Sequence, residues 1–84
     1  MDGVNTRIVV MDRGWVFVAQ PSPEPAPAGT LRYDNARCIR RWGTTKGLGQ
    51  LKAGPRRDTV IDEPCELVVS EKAVLFEVLC TKNW

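Results

Sequence analysis

The sequence predicts an all-β, mainly antiparallel domain. It should be a small sandwich or open barrel of six to seven short strands, with one short helical turn near residues 45–53. Three observations carry that expectation. β-Branched and aromatic residues gather in short runs such as "RIVVM", "WVFVAQ", "CELVV" and "AVLFEVLC". Turn-forming Gly, Pro, Asp and Asn separate those runs at close intervals. The remaining periodic segment, around Leu48 and Leu51, is interrupted by Gly47 and Gly49, each of which costs a helix up to ~1 kcal/mol, so it supports one or two turns at most. A chain of 84 residues is one domain, 1–84. At this size folding removes roughly 60–65% of the unfolded surface, leaving room for one modest core.

Taken in order, Arg7 to Gln20 reads as a hairpin turning at Asp12-Arg13-Gly14, where Gly14 can supply a positive φ. Both arms are apolar on both faces, the pattern of strands covered on two sides or sealed against a partner. Prolines at 21, 23, 25 and 27 follow. They make 21–29 an extended connecting loop that can be neither a helix nor an inner strand. "TLRYDNARCIRRW" reads as a second hairpin turning at Asp34-Asn35, both tolerant of left-handed backbone. Thr44 or Thr45 can cap the helical turn, which Gly54 and Pro55 end. The tail reads as a short strand, a turn at Glu63-Pro64, and a last hairpin around Ser70-Glu71-Lys72. Cys65, Leu67 and Val69 share one face of the penultimate strand; Val74, Phe76, Val78 and Cys80 share one face of the final strand. A helix capped by Ser70 over 71–80 is the competing assignment.

Charge is unevenly spread along the chain. Residues 1–30 carry −1, residues 31–57 carry +7, and residues 58–84 carry −4. The run "RRWGTTKGLGQLKAGPRR", Arg40 to Arg57, holds six cations and four glycines without an acid. Arg37, Arg40, Arg41, Lys46, Lys52, Arg56 and Arg57, with Trp42, are therefore the candidate anion- or nucleic-acid-binding residues. A guanidinium fork matches phosphate oxygens, and an indole face stacks on a base for ~1–3 kcal/mol. A buried, structural Trp42 is the competing reading. "GTTKGLG" is not a nucleotide-hydrolysing phosphate loop, because Lys46 precedes Gly47 instead of following the last glycine with a hydroxyl after it. It leaves open a non-hydrolytic nest of amides around one anion.

Several classes of chemistry are disfavoured. The chain has no histidine, so a Ser or Cys nucleophile would lack its usual base. Cys38, Cys65 and Cys80 form an odd set without a close pair, unsuited to a zinc site or a disulfide framework, and each is expected to be a buried free thiol. No enzyme, metal or cofactor is expected. No apolar run approaches the ~20 residues of a membrane span. The stretch "MDGVNTRIVV", with Asp2, shows no basic leader, so the expected location is the cytoplasm.

"IRRWGTTKGLGQLKAGP" followed by "TVIDEP", with "RGWVFV" near the start, resembles a group of small bacteriophage and prophage proteins of unassigned activity. Its specific part is Arg41 to Gly49; the proline-rich 21–29 segment stands where a shorter polar loop would be expected. The resemblance implies a setting and no catalytic residue: small phage accessory proteins commonly bind and block a host enzyme or defence complex, or sequester its signal. The expected function is thus a non-enzymatic binding protein in the host cell, whose basic surface engages nucleic acid, a nucleotide or a nucleotide-binding host site. The alternative is a protein–protein inhibitor of a host defence complex, anti-CRISPR-like, docking through Trp15 and Phe17 of the apolar first hairpin. Self-association through that hairpin is a further possibility.

Overall fold

A computed structural model describes residues 4–84; Asp2, invoked above against a leader, lies outside them. Six strands run β1 (Arg7–Met11), β2 (Val16–Pro21), β3 (Thr30–Arg41), β4 (Val60–Ile61), β5 (Cys65–Ser70) and β6 (Val74–Leu79). Short 3-10 segments occupy Asp12–Gly14, Leu48–Ala53 and Glu71–Ala73. All pairings are antiparallel, in one sheet ordered β4-β3-β2-β1-β6, with β5 beside β3 as well. β3 is long enough to hold β5 along Thr30–Ala36 and β4 along Ile39–Arg41.

The sheet rolls into an open barrel. In a flat sheet β3 and β6, three steps apart, would lie about 14 Å from each other. Instead Leu67 and Val69 of β5 and Val74 of β6, from the two ends of the sheet, pack on one buried cluster, and the Tyr33 hydroxyl on β3 donates to Glu77 Oε2 on β6 at 2.6 Å. β5 and β6 are consecutive but unpaired, each left at an edge, and the seam between them is the barrel's opening.

Both faces are apolar because both are covered, as the first hairpin's pattern predicts. Val9, Met11, Ala19, Tyr33 and Ala36 pack inside the roll with Leu67, Val69 and Val74. Ile8, Val16, Val18 and Ile39 pack on the other face beneath Leu51 of the 48–53 segment and Cys80 and Trp84 of the tail. Asn83 Oδ1 accepts from the Asn5 and Thr6 amides at 3.1 Å and the Thr6 hydroxyl at 2.6 Å, tying the tail to the start of β1.

Several local expectations are corrected. Asp34-Asn35 is not a hairpin turn: β3 runs straight through, and Asn35 at φ 53° makes a bulge that shifts register against β5. One left-handed residue re-aims a strand without reversing it. Pro21 ends an inner strand, opposite Tyr33; β1 pairs β2 only as far as Ala19, so the missing amide is not needed there. The 48–53 turn starts after Gly47 with no side-chain cap, leaving Thr44 and Thr45 outside that role. Residues 74–79 form a strand, not a helix, and it does not make a hairpin with β5. A bulge at Val10/Met11 sets Val74 opposite Met11, on the inner face, while Phe76 stays opposite Val10. Val74 and Phe76 therefore do not share a face. Cys38 and Cys80 are buried and burial pushes both thiols up, whereas Cys65 is exposed, its Sγ set 3.4 Å from the Ala36 carbonyl.

Candidate functional site

The basic segment folds as a loop that crosses one face of the barrel, anchored by Leu51, which is fully buried. Its two ends are stapled by one hydroxyl. Thr59 Oγ1 donates to the Trp42 carbonyl at 2.6 Å and accepts from the Arg56 amide at 2.8 Å. The close approach demands glycine at 43: its φ is 67°, and a Cβ there would lie 2.3 Å from the Asp58 carbonyl carbon. Residues 13 positions apart in sequence thereby flank a common groove of about 320 Å³, lined by Gly43, Thr45, Gln50, Arg56 and Arg57.

At this groove the backbone forms a two-amide nest around a single oxygen. The Thr45 and Lys46 amides donate to Gln50 Oε1 at 2.8 and 3.0 Å. Two convergent N–H groups are the geometry expected for an anion, and here the chain's own carboxamide oxygen occupies it. The "GTTKGLG" run is thus a self-satisfied loop at rest.

The seven candidate cations divide into two groups. Arg40 Nε pairs with Asp62 Oδ2 at 2.8 Å. Arg37 is half-buried, with its guanidinium carbon 5.7 Å from the Trp84 ring centroid and Nε and Nη2 without hydrogen-bond partners; burial lowers its pKa. Arg37 is thus held within the fold, whereas Arg40 is paired through Nε alone and its side chain stays 59% exposed. Arg41, Lys46, Lys52, Arg56 and Arg57 are exposed and have no ion-pair partner among the described residues. Trp42 is 42% exposed, so its side chain is not core. Of the residues named for the alternative interface, Trp15 is 51% exposed at the turn before β2, with its ring 6.3 Å from that of half-buried Phe17.

A second cleft, about 410 Å³, opens between β3 and β6, and no motif in the sequence signals it. Arg7, Tyr33 and Glu77 line it beside apolar Leu31, Val74 and Phe76. Arg7 Nη1 donates to Glu77 Oε1 at 2.9 Å while Tyr33 holds Oε2. Burial, then the Glu77 carboxylate, raise the Tyr33 pKa far above its ordinary value. Both carboxylate oxygens have donors within the cluster, which ties β1, β3 and β6 together. No local sequence signal marks the cluster, because its members are spread over 70 positions.

Comparison with protein-family models, curated proteins and solved structures gives no match to this chain.

Proposed function

We propose that the chain is a non-enzymatic binding protein that engages a phosphate-bearing partner, best a single-stranded nucleic acid, through the 41–57 loop. The observation that carries this reading is the set of five exposed cations without carboxylate partners, on a loop whose ends are fixed by Thr59 and whose start displays Trp42. Arg56 and Arg57 border the groove and supply forks for phosphate oxygens. Trp42 offers a stacking face. We place Arg37 and Arg40 second in the binding set, since Trp84 and Asp62 already engage them. A bacteriophage accessory role in the host cytoplasm is the setting we attach to it.

Titration of short single-stranded DNA and RNA, with cyclic nucleotides alongside, tests this directly. Binding should weaken linearly in log–log form as salt rises. The Arg56→Ala/Arg57→Ala double variant should lose it while unfolding normally. Absence of binding even at low ionic strength would reject the proposal.

A second reading rests on the exposed Trp15, stacked at an interplanar angle of 23° against Phe17. An aromatic knob of this kind suits a protein–protein contact, as in an inhibitor of a host defence complex. A host protein captured at high salt by the wild type and lost with Trp15→Ala would favour it over the anionic partner.

A further inference from the structure

Gln50 fills a position built for a charged group. Its carboxamide oxygen accepts from the Thr45 and Lys46 amides at 2.8 and 3.0 Å, with the Thr45 hydroxyl 3.5 Å from the same oxygen. Gly43, Arg56 and Arg57 complete the groove around it, and no acid lines that groove. Asp58, next in sequence, is not part of the lining. Both arginines are exposed and make no ion pair among the described residues. The two amides lie ahead of the 48–53 segment, which contributes none of its own, so the charge of the site comes from the arginines and not from a helix end. Converging amides and two uncommitted guanidinium forks in one concave site are complementary to an oxyanion.

Building on the phosphate reading above, we propose that Gln50 is a displaceable plug and that a terminal phosphate monoester takes its place. The donor count selects the monoester. It presents three free oxygens and carries about −1.5 to −2 charge at neutral pH. With one oxygen in the nest, two remain, one for each arginine fork. A phosphodiester in the same position has a single oxygen left for both. Charge-assisted hydrogen bonds are roughly twice as strong as neutral ones, so the anion displaces the carboxamide from the two amides. The exchange needs no refolding. The Gln50 amide donates to the Gly47 carbonyl at 3.2 Å and Leu51 beside it is fully buried, so the side chain swings out while the backbone stays. Among the described residues its Nε2 gives up only a 3.4 Å contact with the Thr45 hydroxyl. The occupied loop thus grips the phosphorylated end of a strand, or a free nucleotide, and not the middle of a strand.

Amide NMR of the wild-type protein, titrated with inorganic phosphate, reads the exchange without depending on any variant's folding. The Thr45 and Lys46 N–H signals and the Gln50 side-chain amide should shift together and saturate. Gln50→Ala opens the nest and should tighten phosphate binding about two- to tenfold, the worth of a hydrogen bond that no longer has to be broken. Gln50→Glu keeps a charged plug in place and should abolish binding. Gly49→Glu sets the same charge on an exposed neighbour, where a Cβ meets nothing within 4 Å, and should weaken binding far less. A terminally phosphorylated oligonucleotide and a mononucleotide should both give the wild-type shifts, the tighter of the two identifying the source, whereas the same strand with hydroxyl ends should not. Thr45 and Lys46 signals that stay still while oligonucleotides bind through Arg56 and Arg57 would overturn the plug and leave the phosphate reading standing. Equal affinity for phosphate-ended and hydroxyl-ended strands, or equal losses from the two Glu variants, would do the same. Absence of all phosphate and oligonucleotide binding would remove both.

Discussion

Gly43 and Tyr33 are the positions where a single side chain decides most. Gly43→Ala adds a methyl group into the Asp58–Thr59 backbone at a left-handed φ. It should destabilise the fold by at least about 2 kcal/mol in urea denaturation. Gly49→Ala meets nothing within 4 Å and should be neutral or slightly stabilising; equal losses at both would refute the close-packing account. Tyr33 is the only tyrosine, so phenolate absorbance reports it alone. Its pKa is raised on folding, so the unfolded chain gives up the proton first as pH climbs past the ordinary value of 10.0. Stability contributed by Tyr33 is therefore complete below pH 10.0 and declines above it. The ultraviolet signal should appear together with unfolding and not before. A free titration near the ordinary value in the folded protein would contradict the Tyr33–Glu77 bond.

At the level of elements, the 48–53 segment depends on Leu51, the residue that anchors the basic loop. Leu51→Ala should cost about 2–5 kcal/mol by urea denaturation, the range for emptying a buried leucine site. A loss below about 1 kcal/mol would mean the loop is held by other contacts. Strand positions were legible because alternation and turn residues are local signals. The first hairpin, the helical turn near 48–53 and the last strand could all be read from neighbours a few places apart. Pairing was not. Nothing in "CELVVSEKAVLFEV" states that its two strands turn a corner to opposite edges of the sheet, and Asn35 reads identically as a turn or a bulge. The same holds for the site. The basic loop was visible as a charge run, but the partition between bound and available arginines depends on Asp62 and Trp84, which are 22 and 47 positions away from Arg40 and Arg37.

For the molecule as a whole, folding partly cancels the charge segregation of the chain. Arg32 and Arg40 meet Glu66 and Asp62 across the sheet, while the 41–57 cations stay outward. Exposed ion pairs of this kind are worth about 0–1 kcal/mol. Arg40→Ala should thus change stability and oligonucleotide affinity little. Arg57→Ala should lower the slope of log affinity against log salt by about one if it touches a phosphate. An unchanged slope would place Arg57 outside the contact.

The tie between Asn83 and the Asn5–Thr6 amides has a practical corollary. Residues 5–6 and 83 are neighbours in space, and the proline-bearing arm at 22–28 is largely exposed and outside the sheet. A circularly permuted version, fused through a short glycine bridge and reopened in that arm, should therefore fold to the same barrel.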